Sequence, residues 1–400
     1  MFWSRLDLGE AARSVSWRKR TFWGGLGVLL LAGAVFIGVF PRLLAWRLHQ
    51  HTQVAPPPMN AQAQSLHSKL LVVDLHATSL LWSRNLLARS GWGHVDLPRL
   101  TDGNVALQVL GAVTTLSWPR EGGMSDGGID LMPSLAMAQL WPARTWASRL
   151  QRALHQADLF KALVKRSETG LLAIRSKTDL DQLLLARSQA QANGLTPPVG
   201  VMLSLDGPGG LGGDLAVLDR LFDAGFRMAA PPASTVGADG LLSASGRAWL
   251  NRMGEKGMVV DVANAAPPVL KEILAHARFP IVASHSGLRG TCDHAGNLSD
   301  EQARAIAAGS GVIGIGFWPA AVCESSIDAI VKAIRYAVAL VGIEHVALGS
   351  NFDGGARTPI DAAGLAHLTR GLTAAGFSDD DIAKLAGGNA WQLLRRILPP

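Results

Sequence analysis

From residue 70 onward, short apolar runs alternate with longer segments in which apolar positions recur every three to four residues. Eight of the short runs are rich in Val, Ile and Leu and are apolar at nearly every position, which is typical of parallel strands buried on both faces. The strand candidates are 70–76, 105–113, 199–205, 226–230, 258–263, 280–285, 312–317 and 345–350. The longer segments between them predict helices.

The order of these elements predicts an α/β fold. Eight strands that alternate with helical crossovers predict a closed (β/α)8 TIM-type barrel. The helical segments carry ordinary end signals: "PPVLKEILAHAR" opens with prolines, and the last helix opens with the capping pair Ser378 and Asp381. The stretch 114–198 is interpreted as an elaborated early crossover, so residues 66–400 are expected to form one barrel domain.

A different pattern occupies the N-terminus, where residues 22–40 contain no charged residue. With a rise of 1.5 Å per residue, this segment is long enough to cross a bilayer core. Basic residues precede it, including "WRKR", so the positive-inside rule places the N-terminus in the cytoplasm. The expected organisation is a cytoplasmic N-terminus (1–21), a transmembrane anchor (22–41), a Pro-rich linker (42–65) and the barrel (66–400).

The alternative for the apolar segment is a cleaved signal peptide. The nearest A-x-A pattern, Ala61 and Ala63, lies too far beyond the segment for an ordinary cleavage region. An uncleaved, single-pass anchor in a bacterial inner membrane is therefore favoured. It leaves the barrel in the periplasm or another extracytoplasmic space.

The net charge of +6 at first suggests a nucleic-acid partner, but its distribution argues against one. The first 50 residues hold seven basic and two acidic residues, which leaves only +1 on the other 350. The body therefore lacks the basic surface that neutralises phosphates. Two cysteines, Cys292 and Cys323, exclude a disulfide-rich scaffold and a C-x-x-C metal site, and they leave one disulfide bridge possible.

Polar residues follow the C-terminal ends of several predicted strands, where barrel enzymes carry their sites. These residues are His76, Thr78, Asp206, Asn264, His285, Asn351 and Asp353. A single polar residue at such a place ordinarily caps the core. Their joint occurrence at one end of a barrel predicts a functional site or the remnant of one.

The segment "GPGGLG" (207–212) also matches the G-x-G-x-x-G pattern of dinucleotide-binding folds. It follows the third strand of eight, whereas the dinucleotide fingerprint follows the first strand of its domain. A flexible glycine loop at the barrel mouth is therefore the favoured interpretation.

Seven ordered segments carry a family resemblance. They are "VVDLHATSLLW", "GHVDLPRLTDGNVALQVL", "LDRLFDAGFRM", "GMVVDVANAA", "VASHSGLRGTCDHAGNLSDE", "GVIGIGFW" and "HVALGSNFDGG". Together, over residues 66–397, the chain resembles the renal (membrane) dipeptidase family of zinc metallopeptidases, in its bacterial branch. The resemblance implies an amidohydrolase-type barrel, often paired as a homodimer, in which two zinc ions activate a hydroxide that attacks the carbonyl of a dipeptide.

Position by position, the resemblance implies an altered metal site. His76 and His285 match two histidine ligands of the family. Thr78 stands where the family has an aspartate, Asp206 where it has a bridging glutamate, and Asn264 where it has a histidine. Because Thr and Asn offer zinc only neutral oxygens, no zinc or one zinc is expected here.

The positions that would contact the substrate differ as well. Ala233 falls near the histidine that would polarise the substrate carbonyl, and Gly296 corresponds to the arginine that would hold the substrate carboxylate. Asn351 replaces the aspartate that handles the proton, although Asp353 remains two residues later. Loss of general acid–base help of this kind costs roughly 10²–10⁴ in rate.

Two hypotheses of different classes follow. The first is a membrane-anchored metallodipeptidase with impaired catalysis, in which one zinc is bound by His76, Asp206 and His285. The second is a non-catalytic barrel that binds a ligand or partner at the membrane. Zinc content and chelator-sensitive turnover of dipeptides distinguish the two.

Overall fold

The computed structural model describes residues 8–48, 58–118, 128–206, 211–232, 236–237 and 240–400. Each of the eight expected strands is present and parallel to its neighbours in the barrel, and the described residues contain three further short strands. The strands are β1 (Val72–Ala77), β2 (Val105–Val113), β3 (Ser117–Trp118), β4 (Ile129–Asp130), β5 (Leu171–Ala173), β6 (Val199–Asp206), β7 (Phe226–Ala229), β8 (Val259–Val260), β9 (Val282–Ser286), β10 (Val312–Ile315) and β11 (Val346–Leu348).

Eight of these strands form the barrel, in the order β8-β7-β6-β2-β1-β11-β10-β9. The ring closes between β8 and β9 through a parallel bridge from Asp261 to Val282. There the backbone N–H of Val262 donates to the carbonyl of Val282 at 2.7 Å. The predicted (β/α)8 architecture is therefore confirmed.

The early crossover contains strands that the sequence did not predict. β3 and β4 form a short antiparallel hairpin that lies beyond the C-terminal end of β2. β5 pairs with the first half of β6, whereas β7 pairs with its second half. Both additions are only two or three residues long, which is too short for a hydrophobic pattern to reveal.

The helices surround the barrel and extend it at both ends of the chain. They are α1 (Leu8–Gly38), α2 (Phe40–Leu48), α3 (Ala61–His67), α4 (Leu97–Asp102), α5 (Met132–Ala138), α6 (Arg144–Ala147), α7 (Arg149–Arg166), α8 (Lys177–Ala192), α9 (Leu215–Ala224), α10 (Ala244–Glu255), α11 (Pro267–His276), α12 (Asp300–Ala308), α13 (Pro319–Val322), α14 (Ile327–Val341), α15 (Leu365–Ala374), α16 (Asp379–Ala383) and α17 (Asn389–Ile397).

The barrel interior is filled by apolar side chains and closed at one end by α17. One buried cluster includes side chains from all eight barrel strands together with Trp391, Leu394 and Leu398. Asn389 at the start of α17 donates to the carbonyl of Val346, where β11 begins. Since α17 covers the N-terminal ends of the strands, the C-terminal ends remain for a site.

The N-terminal segment departs from the simple anchor-and-linker picture. Thr21–Leu48 is long and apolar enough to cross a membrane, and little of it is buried; a signal sequence meets the same criteria. Residues 42–48, which we interpret as the start of the linker, form most of α2. The buried face of α2 packs against the barrel domain through Leu44, Ala45 and Leu48.

Candidate active site

Four side chains converge at the C-terminal end of the barrel from four different strands. His76 lies on β1 and Asp206 ends β6, and the two approach to 3.5 Å between Nε2 and Oδ2. Asn264 follows β8, and His285 lies on β9 with its ring stacked on that of His76 at 3.8 Å between centroids. The sequence-based expectation that these residues share one site agrees with this geometry.

Asn264 lies between two of the other groups and contacts both. Its Nδ2 is 3.3 Å from Oδ1 of Asp206 and 3.4 Å from Nε2 of His285. An amide NH2 carries two donors and no acceptor, so both hydrogen bonds run from Asn264 to its neighbours. The lone pairs that a metal ion would use on Asp206 and His285 are thus partly satisfied by an amide.

Asp261, which the sequence analysis did not single out, is also part of this site. It is buried just after β8, and its carboxylate accepts from the backbone N–H of Ser284 at 2.9 Å and from the Ser284 hydroxyl at 2.6 Å. Burial raises the pKa of Asp261, while the hydrogen bonds from Ser284 act to lower it. Asp261 therefore ties the end of β8 to β9.

The hydrogen bonds of Ser284 determine the tautomer of His285. The Ser284 hydroxyl lies 2.8 Å from Nδ1 of His285 as well as 2.6 Å from Asp261. Its single hydrogen goes to the carboxylate, so it accepts from Nδ1–H of His285. The lone pair of His285 is consequently on Nε2, which faces Asn264 and the site.

His76 is fully buried, and the nearest partner of its Nε2 is Oδ2 of Asp206 at 3.5 Å, while Nδ1 has no hydrogen-bond partner within the described part of the chain. Burial lowers the pKa of His76, but the charges of Asp206, Asp261 and Asp74 outweigh this effect and raise it. Gly111 on β2 leaves room for the ring, since a Cβ there would stand 3.0 Å from His76 Cε1. A buried imidazole with an unpaired nitrogen is a typical feature of a ligand position.

Thr78 and Asp353 are joined to each other and to the segment that follows β1. The Thr78 hydroxyl donates to the backbone carbonyl of Asp353 at 2.7 Å. The Asp353 carboxylate is fully buried and accepts from the Ser79 hydroxyl at 2.6 Å, from the backbone N–H of His94 at 2.7 Å and from the Arg84 guanidinium. These contacts hold Asp353 in a buried position, and among the described residues it is not one of those that line the cavity.

The remaining predicted positions lie around the mouth. Asn351 lines the cavity and adopts a left-handed backbone with φ of 55°. Gly296 also lines it, and its N–H donates to Nδ1 of His294 at 3.1 Å. Ala233 and residues 207–210 of the glycine-rich segment lie outside the described residues.

A disulfide bridge between Cys292 and Cys323 joins the loop after β9 to the end of α13. The bridge that the sequence left possible is therefore present. Asn297 reinforces the same region, because its side-chain amide donates to the carbonyls of Cys292 and Ala320 at 2.8 and 3.0 Å. The loops that surround Gly296 are held in place by covalent and hydrogen bonds.

These elements enclose a cavity of about 210 Å³ above the converging side chains. Part of its wall is apolar and consists of Leu81, Trp82, Val113, Leu116 and Trp318. Another part is polar and consists of Asp206, Asn264, His285, His294, Asn297 and Asn351. Pockets for drug-sized molecules measure roughly 300–1,000 Å³, so this cavity suits a smaller ligand.

Several side chains of the site could together hold a metal ion. The ligand atoms of His76, Asp261 and His285 lie within 4.8 Å of one another, and Asp206 is 3.5 Å from His76. Two ligand atoms bound to one ion at roughly 2.0–2.2 Å lie at most about 4.4 Å apart, so these separations are close to those that a shared ion requires.

Comparison with known proteins agrees with this geometry. The family model described as membrane dipeptidase (peptidase family M19) matches residues 60–398. The chain belongs to the membrane dipeptidase family. Two curated relatives align over 48% of this chain: a dipeptidase named aclJ from Aspergillus oryzae, 27% identical over 50% of its length, and an uncharacterized protein in the pqqA 5′ region of Klebsiella pneumoniae, 29% identical over 80% of its length. The chain thus spans about half the length of the dipeptidase it matches.

Solved structures of this family share the fold. The probable dipeptidase PvdM from Pseudomonas aeruginosa superposes with a TM-score of 0.67 at 21% identity, over 89% of this chain and 100% of its own. A metallo peptidase from Rhodobacter sphaeroides, solved with a phosphinate mimic of the dipeptide L-Ala-D-Ala, superposes with a TM-score of 0.65 at 21% identity, over 82% of this chain and 99% of its own. At this identity the likeness supports the fold alone.

Proposed function

We propose that this member of the membrane dipeptidase family is an anchored, extracytoplasmic barrel that binds a dipeptide-like ligand and hydrolyses peptide bonds poorly or not at all. The observation that carries the proposal is the amide of Asn264, which donates to Asp206 at 3.3 Å and to His285 at 3.4 Å. In this position an uncharged side chain takes up lone pairs that would otherwise bind a metal ion.

Two further observations support the location and the ligand. A disulfide between Cys292 and Cys323 is stable in oxidising compartments, which agrees with a barrel outside the cytoplasm. The cavity is small and combines apolar with polar walls, as a dipeptide requires. The Rhodobacter sphaeroides structure with a dipeptide mimic supports the same class of ligand.

A second candidate function is slow, single-zinc hydrolysis of dipeptides. It is favoured by buried His76, whose Nδ1 has no hydrogen-bond partner in the described part of the chain and whose Nε2 has Asp206 at 3.5 Å as its nearest partner. His76, Asp206, Asp261 and His285 are the residues that would hold the ion, and a bound zinc ion supplies Lewis-acid activation of a carbonyl and of water. Asn351 cannot exchange a proton as the family's aspartate does, so turnover is expected to remain low.

Zinc content and turnover of the full-length protein in detergent test the proposal. We expect at most one zinc per chain by elemental analysis, saturable dipeptide binding by calorimetry, and no chelator-sensitive cleavage of a dipeptide panel. The combined variant with Thr78→Asp, Asp206→Glu, Asn264→His and Asn351→Asp is expected to bind more zinc and to gain turnover.

The matched control is Asn264→Ala, which removes the amide without adding an imidazole. It is expected to gain no turnover. Two zinc ions and dipeptide hydrolysis in the unaltered protein would contradict the proposal, and one zinc with slow, chelator-sensitive turnover would support the second candidate.

A further inference from the structure

The short helix α2, which follows the apolar N-terminal segment, packs against side chains that line the candidate site. Leu44, Ala45 and Leu48 of α2 belong to the same hydrophobic cluster as Leu81, Trp82, Val113 and Leu116. The last four side chains also form the apolar wall of the cavity. The helix next to the anchor is therefore packed at the mouth of the barrel and not at its closed end.

Little chain separates α2 from the anchor. α1 ends at Gly38 and α2 begins at Phe40, and backbone hydrogen bonds continue across the junction, from Val39 to Val35 at 2.8 Å and from Leu43 to Val39 at 2.9 Å. The nine residues of α2 extend about 13 Å at 1.5 Å per residue. If α1 spans a bilayer, the packed face of α2, and the mouth with it, lies within about that distance of the membrane surface.

Exposed apolar side chains are unevenly distributed between the two ends of the barrel. Those at the mouth end, on α2 or in segments that follow the C-terminal ends of strands, are Leu43, Trp46, Ile129, Leu140, Trp146, Leu215 and Leu241. Leu195, which precedes the N-terminal end of β6, is exposed at the opposite end, and Leu159 and Leu185 are exposed on the helices α7 and α8. Exposed indoles and leucines beside basic residues such as Arg42 and Arg47 are typical of surfaces that insert into the headgroup layer.

We propose that the mouth end of the barrel docks on the phospholipid bilayer, so that the candidate site opens toward the lipid headgroups. The docking surface consists of the outer face of α2 (Leu43 and Trp46) together with Ile129, Leu140 and Trp146. Ligands then enter the cavity from the layer of water and headgroups at the membrane. This inference rests on the membrane anchor of the proposed function, and it adds the orientation of the barrel relative to the bilayer.

Fluorescence quenching in vesicles tests this orientation on the full-length chain. Leu140→Cys and Leu195→Cys place a thiol-reactive fluorophore at sites that are exposed to similar degrees, 70% and 65%, at opposite ends of the barrel. The vesicles contain anionic phospholipid and a lipid with a headgroup-attached quencher. We expect the label at residue 140 to be quenched at least twofold and the label at residue 195 to be unchanged.

A second variant, Ile129→Cys, keeps the test decisive if Leu140→Cys does not fold, because Ile129 is 75% exposed at the same end. Flotation of the vesicles is measured first on the unaltered protein. A chain that floats but shows equal quenching at both ends overturns the docking and leaves the anchor intact. A chain that does not float overturns the anchor and the docking together, while dipeptide binding is judged separately by calorimetry.

Discussion

Two buried aspartates hold the barrel together beside the candidate site in the same way. Asp74 on β1 accepts from the backbone N–H and the hydroxyl of Ser350 at 2.8 and 2.6 Å, as Asp261 does from Ser284 at 2.9 and 2.6 Å. Burial raises the pKa of both carboxyl groups, and the serine hydrogen bonds oppose that rise. Each serine hydroxyl thus stabilises the charged form of a carboxylate that water does not reach.

The paired serines give a matched test of how His285 is positioned. Ser284→Ala and Ser350→Ala each remove one hydroxyl donor from a buried carboxylate, so each is expected to lower the free energy of unfolding by about 1–3 kcal/mol. Only Ser284→Ala also removes the acceptor of His285 Nδ1–H. Urea unfolding measures the shared loss, and ¹⁵N chemical shifts of the histidine rings are expected to change at His285 in Ser284→Ala alone.

If the His285 ring shifts were unchanged in Ser284→Ala, the assignment of the Nδ1–H tautomer would be contradicted. A much larger loss of stability in one variant than in the other would show that the two aspartate–serine pairs contribute unequally to the free energy of unfolding.

Asp353 is the centre of a buried charge network. It pairs with Arg84, whose side chain is almost fully buried, and removal of the charge would leave that guanidinium without its nearest carboxylate. Breaking a buried pair from one side costs about 3–5 kcal/mol, so Asp353→Asn is expected to lower the free energy of unfolding by that amount. Chemical denaturation in urea measures it.

An exposed pair on the same segment provides the control. Arg89 and Asp102 form an ion pair in which both side chains are about half exposed. Asp102→Asn is therefore expected to cost about 0–1 kcal/mol. Equal losses for Asp353→Asn and Asp102→Asn would contradict the structural role assigned to Asp353.

At the scale of elements, the sequence predicts the strands whose consecutive residues are all buried. It misses the strands of two or three residues, β3, β4 and β5. The mostly apolar run 105–113 coincides with β2, because every position of that strand is buried. The candidate 258–263 contains the short strand β8 followed by Asp261, whose backbone forms an isolated bridge to Val282 and whose carboxylate accepts from Ser284 of β9. The capping pair Ser378 and Asp381 is also confirmed, since Ser378 accepts from the Asp381 N–H at 3.1 Å.

Residues 42–48 belong to the linker by composition and to a helix by structure. The segment "RLLAWRL" lies between an apolar run and a Pro-rich stretch, which favours a linker. Its apolar residues at 44, 45 and 48 have helical spacing and are buried against side chains of the segments that follow β1 and β2. The partner surface on Trp82, Met132 and Trp141 exists only in the folded chain, and nothing in the local sequence identifies it.

In the whole molecule, the candidate site also contains some residues that the sequence predicts and others that only the fold reveals. The strand-end positions and the family motifs predict that His76, Asp206, Asn264 and His285 share one site, and their side chains lie close together in the structure. Asp261, Ser284 and Gly111 were missed because their roles depend on the register between neighbouring strands. The repeated "VVD" at 72–74 and 259–261 is a signal in the sequence that could have identified Asp261.

The contact between α2 and the barrel predicts that the folded barrel domain includes α2. A chain that starts at residue 40 keeps Leu44 and Leu48 in their buried positions, whereas one that starts at residue 58 exposes the surface that they cover. Burying a leucine contributes roughly 1.5–3 kcal/mol, reduced by the entropy lost in ordering the helix.

The shorter chain is therefore expected to unfold at a lower urea concentration, with a free energy of unfolding lower by about 1–4 kcal/mol. Two variants of the longer chain separate packing from length: Leu44→Ser, at a buried position, should reproduce the loss, and Leu43→Ser, at an exposed one, should not. If both chains unfolded at the same urea concentration, α2 would be a linker after all. The mouth of the barrel would then have no fixed position relative to α1.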